Sequence, residues 1–315
     1  MQTVSQVLTH GRTELAKVIV GQEELINQCL LTALCGGHAL LEGVPGIAKT
    51  LVIKSFARLF NLEFRRVQCT SDLMPADIIG SNVLNLSTSA FALHKGPLFT
   101  DLLLADEVNR MPPRTQAALL ECMEEFQVTI DGKGYPLSPF FTVFATQNPI
   151  EFEGTYPLPE AQLDRFLLKL RVTYPAAAEE VRLLANVQSG FDARDLERMN
   201  LQPIDTGLLE EAQRQVKAVT VEEALFTYMV QIIRRTRDWP SLSLGASPRA
   251  AVSLMAVAKA FAAMDGRDYV IPDDVKASAH PVLRHRMILR PEADLEGVTA
   301  DQVVDDVLRA VEVPK

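Results

Sequence analysis

A lysine and a threonine side by side, entered from a glycine-bearing turn, can hold a phosphate chain and the cation that accompanies it. They stand at Lys49 and Thr50, closing the stretch Gly43-Val-Pro-Gly-Ile-Ala-Lys-Thr50. Upstream, His38-Ala-Leu-Leu-Glu42 is a short apolar run suited to a buried parallel strand. Downstream, Leu51, Val52, Phe56, Leu59 and Phe60 recur at helical spacing. Strand, turn and helix in that order make Gly43, Val44, Pro45, Gly46, Ile47, Ala48, Lys49, Thr50 and Leu51 a candidate phosphate cradle. Backbone N–H groups of the turn and helix start would surround the phosphates, and Lys49 would neutralise their β/γ end. The Thr50 hydroxyl would sit on Mg²⁺. Ala48 stands where glycine is usual, and its methyl is tolerable if the backbone there stays right-handed. The plainer alternative is a strand-to-helix turn that happens to contain Lys-Thr.

A second stretch, Leu102-Leu-Leu-Ala-Asp106-Glu107, is a buried strand ending in two carboxylates. An acid there lies at the carboxyl edge of the sheet, where open α/β folds bind ligands. Asp106 would hold the Mg²⁺ shell and Glu107 would polarise an attacking water; the alternative is a strand ending in a solvated turn. Phe141-Thr-Val-Phe-Ala-Thr146 is a further strand, and Asn148 follows its end, where it would stand between that acid and the γ-phosphate; the alternative is an ordinary turn residue. Ile19 and Val20 precede the turn and are candidates for an adenine contact, with plain core packing an equal alternative.

These residues need a sheet to converge on. The strands read as 38–42, 63–69, 102–106, 141–146 and 166–172, with helices between them, an α/β pattern. Two stretches read as hairpins projecting from it: 80–97, with a Ser-Thr-Ser turn, and 126–140, with Asp131-Gly132 as its turn. Beyond Pro175 no strand is convincing. Helices are expected at about 206–219, 221–237, 247–264, 272–284 and 299–312, Ser247-Pro248 opening the third as cap and first turn. The organisation is therefore an α/β nucleotide-binding domain over 1–174, a linker over 175–200 and a smaller α-helical lid over 201–315.

The 315 residues suffice for two domains, and 48% hydrophobic with 23% charged is ordinary for a globular chain. A net charge of −9 argues against sequence-independent DNA binding, which rests on phosphate neutralisation. No apolar run has the length of a membrane span, and the first residues lack the pattern of a signal peptide. Cys29, Cys35, Cys69 and Cys122 have neither metal-ligand nor disulfide spacing and read as reduced thiols of a cytoplasmic protein.

Taken together, the motifs resemble an AAA+ ATPase, and more narrowly the MoxR family, over essentially the whole chain. The most specific stretches are Leu41-Glu-Gly-Val-Pro-Gly-Ile-Ala-Lys-Thr50, Leu102-Leu-Leu-Ala-Asp-Glu-Val-Asn-Arg110 and Thr146-Gln-Asn-Pro-Ile-Glu-Phe-Glu-Gly-Thr-Tyr-Pro-Leu-Pro-Glu-Ala-Gln-Leu-Asp-Arg-Phe166. The family commonly carries alanine at the position of Ala48; Val108 and Met111 are mild variations. The resemblance implies a P-loop NTPase core with a five-stranded parallel sheet between helices and a helical lid after it. It matches Lys49 and Thr50 to Walker A, Asp106 and Glu107 to Walker B, Asn148 to sensor 1, Arg165 to the arginine finger and Arg249 to sensor 2. It implies ATP and Mg²⁺, a hexameric ring with ATP sites between subunits, hairpins facing the pore, a protein client and a von Willebrand A domain partner.

The residues alone leave Arg165 open between a neighbour's γ-phosphate and a surface salt bridge to Asp164 or Glu160. Arg249 is open between a phosphate ligand and an exposed first-turn arginine set against the helix dipole. At the level of function, the leading expectation is an ATP-driven remodeller of protein complexes. A DNA-acting ATPase shares the hairpins but wants basic tips, whereas Asn85-Leu-Ser-Thr-Ser89 is neutral and Lys133 stands near Asp131. A metal-chelatase motor subunit shares the core. A GTPase would want Asn-Lys-X-Asp, which does not occur.

Overall fold

In the computed structural model, which describes residues 1–44, 46–87, 89–148, 154–193, 195–196 and 199–314, the apolar runs become the centre of a layered α/β unit. Two helices come first, α1 (Gln2–Leu15) and α2 (Glu23–Cys35). Then follow β1 (Ala39–Glu42), α3 (Lys49–Leu59), β2 (Phe64–Gln68), α4 (Pro75–Ile79) and the hairpin of β3 (Gly80–Asn85) and β4 (Ala90–Lys95). After these come β5 (Leu102–Asp106), α5 (Pro113–Glu125), the hairpin of β6 (Gln127–Ile130) and β7 (Lys133–Pro136), β8 (Thr142–Gln147), α6 (Glu160–Leu163) and β9 (Leu168–Arg171). The five-stranded sheet runs β2-β5-β8-β1-β9, parallel throughout.

Alternation decides the two faces. Leu102 and Leu104 join one apolar cluster with α1, α2 and α3, while Leu103 and Ala105 join the other with α5 and Val128 and Ile130 of β6. His38, at the start of β1, ties this second layer together. Its Nε2–H donates to the Met123 carbonyl at 2.9 Å and its Nδ1 accepts the Val143 N–H at 3.0 Å. Burial pushes its pKa down to about 4 against the pull of that carbonyl bond, so the ring is neutral at physiological pH.

Because all five strands point the same way, Glu42, Gln68, Asp106 and Gln147 finish at one edge, with Glu42 opposite Gln147 and Gln68 opposite Asp106. The hairpins differ in depth. Val128 and Ile130 of β6 are buried, whereas Leu86 and Phe91 of the first hairpin are 84% and 72% exposed. Asn82 donates to the Asp131 carboxylate at 2.7 Å, so the two hairpins touch.

The remainder is α7 (Ala177–Gln188), α8 (Thr206–Ala218), α9 (Glu223–Arg237), β10 (Leu242–Leu244), α10 (Pro248–Met264), α11 (Pro272–Leu283), β11 (Ile288–Leu289), α12 (Pro291–Leu295) and α13 (Ala300–Ala310). Two details depart from expectation. The lid contains a small antiparallel pair, β10 with β11, too short to register as alternation in the sequence. The stretch expected as linker contains α7, none of whose residues is buried. No helix among the described residues is long and apolar enough to cross a membrane.

Candidate functional site

The turn after β1 is shaped by two glycines with different tasks. A Cβ at Gly43 would lie 2.6 Å from the Val172 carbonyl oxygen and 2.8 Å from Ile47 Cδ1, so backbone and side chain leave no room. Gly46 has open space around it but sits at φ 85°, where glycine is favoured. Ala48 adopts φ 62°, ψ 17°, which corrects the expectation of a right-handed backbone there. The strand must reverse into α3 within a few residues, and the left-handed step falls on the last of them, at a cost of about 1 kcal/mol for a residue with a Cβ. Ala48 caps α3 without a side-chain acceptor, so the first N–H groups of the helix are left for an anion. Pro45 lies outside the described residues.

Lys49 opens α3 and folds back, its ammonium donating to the Gly43 carbonyl at 2.6 Å. Partial burial lowers its pKa, and the carboxylates of Asp106, Glu107 and Glu42 oppose that shift. A cavity of about 390 Å³ opens beside it, lined by Gly46, Ala48, Lys49, Thr50, Leu51, Asp106, Glu107, Thr146 and Asn148. Two strand ends, the turn after β1 and one helix start, distant in sequence, thus meet at the carboxyl edge as the parallel topology requires.

The two acids are held differently. Asp106 accepts from Arg66 at 2.6 Å through Oδ2 and from the Thr146 hydroxyl at 2.5 Å through Oδ1. Glu107 occupies the left-handed region at φ 60°, ψ 53°, and its N–H donates to Thr146 Oγ1 at 2.8 Å. One hydroxyl therefore sets both acids. The Glu107 carboxylate accepts from the Gln68 amide at 3.0 Å and lies 3.4 Å from Arg110.

Of the residues expected here, Gly46, Ala48, Lys49, Thr50, Leu51, Asp106, Glu107 and Asn148 line the one cavity. Gly43, Val44 and Ile47 shape the turn from beneath, Ile47 being buried in the main apolar cluster and Val44 packed against it. Ile19 is buried in that cluster and Val20 is half-buried; neither lines the cavity. Arg165 and Arg249 are not brought to it either. Both contact Glu124 on α5, at 3.0 Å and 3.1 Å. The expected partners of Arg165, Asp164 or Glu160, are not the ones it takes, because the Asp164 carboxylate already accepts from Arg286 and Ser247.

Sequence reasoning missed Arg66, Gln68, Thr146 and Glu124. Arg66 and Gln68 are two apart on β2 and so share a face, a signal readable only once β2 is known to lie beside β5. Thr146 was visible as a strand end, though not as the hydroxyl shared by two acids.

The donor set suits Mg²⁺. Thr50 and Asp106 present hard oxygens to the cavity, and no group of three or more His, Cys, Asp or Glu among the described residues could cage an ion unaided.

The family described as ATPase family associated with various cellular activities (AAA) matches residues 38–168, and the AAA lid domain matches 234–307. The uncharacterized Bacillus subtilis protein YeaC is 44% identical over 298 residues, 95% of this chain and 92% of YeaC. The Mycobacterium tuberculosis chaperone MoxR1 is 41% identical over 311 residues, 96% of this chain and 81% of MoxR1. A crystal structure of a candidate ATPase from Cytophaga hutchinsonii superposes with a TM-score of 0.90 at 41% identity, covering 99% of this chain and 96% of that one. With its cavity at the carboxyl edge of a five-stranded sheet and a helical lid after it, the chain belongs to the MoxR family of AAA ATPases.

Proposed function

We propose that this chain binds ATP with Mg²⁺ in the cavity at the carboxyl edge and hydrolyses it to ADP and phosphate, driving chaperone-like remodelling of partner protein complexes. The observation that carries the proposal is the convergence of Lys49, Thr50, Asp106, Glu107 and Asn148 on that single cavity. Thr50 and Asp106 would hold Mg²⁺, which when bound offsets charge on the phosphate oxygens. Lys49 binds the phosphate end and gives up the Gly43 carbonyl to do so. Glu107 takes the proton of the attacking water, its carboxylate aimed by the bond from its own N–H to Thr146 and steadied by Gln68. Asn148 orients the same water.

Arg165 and Arg249 lie outside the cavity of their own chain and share Glu124, an arrangement that supports a ring in which arginines serve the site of a neighbour. We therefore read the assembly as a homo-hexamer acting in the cytoplasm, with a protein client and a von Willebrand A domain partner. A DNA-acting role would want basic hairpin tips, whereas the first hairpin's turn is neutral and Lys133 of the second lies 5.2 Å over the Tyr135 ring.

The test is labelled-ATP binding, phosphate release and size-exclusion chromatography with and without Mg²⁺, followed by affinity capture with Glu107→Gln. The reading expects Mg²⁺-dependent turnover and a captured protein complex. Absence of ATP binding would sink it.

A further inference from the structure

Arg286 lies just beyond α11 in the lid, and its side chain is 1% exposed. A guanidinium is retained at such depth only when its N–H groups are satisfied. Here Nε donates to Asp164 Oδ1 at 2.7 Å. Nη1 donates to the Leu167 carbonyl at 3.2 Å and to the Val282 carbonyl. Nη2 donates to the carbonyls of Asp164 at 3.2 Å and Phe166 at 2.6 Å, and to Ser253 Oγ at 3.2 Å. His285, its neighbour, adds an Nε2–H bond to the same Phe166 carbonyl at 3.0 Å.

The acceptors matter more than their number. Asp164, Phe166 and Leu167 lie on both sides of Arg165 and belong to the nucleotide-binding domain, whereas Arg286, His285, Ser253 and Val282 belong to the lid. The other Asp164 carboxylate oxygen accepts from the Ser247 hydroxyl at 2.8 Å, and Ser247 caps α10 two residues before Arg249. The lid therefore holds the backbone that carries Arg165 from two directions. Arg165 itself is only partly covered, and its ion pair with Glu124 is too exposed to fix its aim.

We propose that Arg286 is a positioning residue for ATP hydrolysis: from the lid it fixes residues 164–167 and so sets where the Arg165 guanidinium points. Turnover at the neighbouring site then depends on the seating of the lid on its own core. This rests on the reading of Arg165 as a donor to an adjacent subunit.

The deciding comparison places Arg286→Met in two backgrounds, Arg165 intact and Arg165→Ala, with labelled-ATP binding and single-turnover hydrolysis measured in each. With Arg165 intact, kcat should fall about 10²-fold, the scale expected of a misplacement of about 1 Å, while ATP affinity holds within about twofold. In the Arg165→Ala background the same substitution should change kcat by less than about twofold, because the group it aims is already gone. Arg286→Lys should recover part of the loss by keeping the charge and one donor set. Equal fractional losses in both backgrounds would overturn the proposal, as would unchanged turnover or a loss confined to ATP affinity. Should Arg286→Met fail to fold, Asp164→Asn, isosteric and at the edge of the same network, answers the same comparison. Full turnover by Arg165→Ala alone would instead overturn the reading of Arg165, which separates the two failures.

Discussion

Around the cavity, Ala48 and Glu107 both sit at positive φ and the ion pairs to the acids come from arginines nearly half exposed; around Arg165, the backbone is gripped by an arginine whose side chain is 1% exposed. The two regions follow from different demands. Groups that must exchange one partner for another are better held weakly. The Arg110–Glu107 contact, with one partner 45% exposed, is worth well under about 1 kcal/mol and yields to substrate. On the reading of Arg165 proposed above, a group that reaches across a subunit boundary gains from a fixed base, since each ångström of error is costly. Strain sits in the first region and satisfied burial in the second.

The sharpest way to break this comparison is to ask whether the two regions serve different subunits. Arg165→Ala should bind ATP and assemble yet lose about 10³-fold or more in turnover, the scale of a trans arginine. Lys49→Ala should lose ATP binding. Mixed, the two should recover part of the activity, read as ATPase rate against mixing ratio; full turnover by Arg165→Ala alone would end the distinction. Next in size, Glu107→Gln should keep ATP affinity while hydrolysis drops about 10²-fold or more, because its carboxylate acts on the water near the transition state. Normal turnover would remove Glu107 from that role.

A smaller effect tests the lid end, where α11 leads into Arg286. His280 on α11 lies 3.5 Å from Asp301 and 2.9 Å from Asp305. The bond to Asp301 raises its pKa, partial burial works against the rise, and Asp305 adds to it. A raised folded-state pKa gives stability that is complete below about pH 6.5 and is lost as pH climbs through the folded value. Denaturant midpoints should therefore fall as pH rises above about 6.5, by no more than about 1 kcal/mol for so exposed a cluster, and His280→Gln should flatten the slope. An unchanged slope would remove the histidine from the account. Smallest of all, Ala48→Gly relieves a left-handed alanine but frees the unfolded chain, for a net gain of about 0.5 kcal/mol in denaturant unfolding. A loss of stability would show that the turn is not strained at that point.

Much of the cavity was legible because its residues mark strand ends. Lys49, Asp106 and Asn148 each follow an apolar run, and a parallel sheet gathers such ends without further information. Arg66 and Gln68 were not, since their meeting with Asp106 and Glu107 depends on β2 lying beside β5, which no local pattern announces. The left-handed Ala48 ran against the preference of alanine, and only the turn imposes it. The grip of Arg286 joins it to Asp164, 122 positions away, through the carboxylate and, with Phe166 and Leu167, through backbone carbonyls, acceptors that every residue carries and no sequence distinguishes. The start of α10 was clear from its Ser247 cap, while a two-residue strand such as β11 offers too little to read.

The first helix carries a consequence for synthesis. Val4, Val7, Leu8 and Leu15 of α1 are buried, and α1 packs against α8 as well as against α2 and α3. Gln215 donates to Thr3 at 2.9 Å, and Glu14 accepts the Gln202 N–H at 2.8 Å. The part of the covering surface that α8 contributes is thus translated roughly two hundred residues after α1. At about 5–20 residues per second that is an interval of about 10–40 s on the ribosome. Throughout it the part of the α1 stripe that α8 covers is open, so α1 completes its packing long after α2 and α3 have been made. Truncations ending before residue 206 should consequently bind holdase chaperones far longer than the full chain.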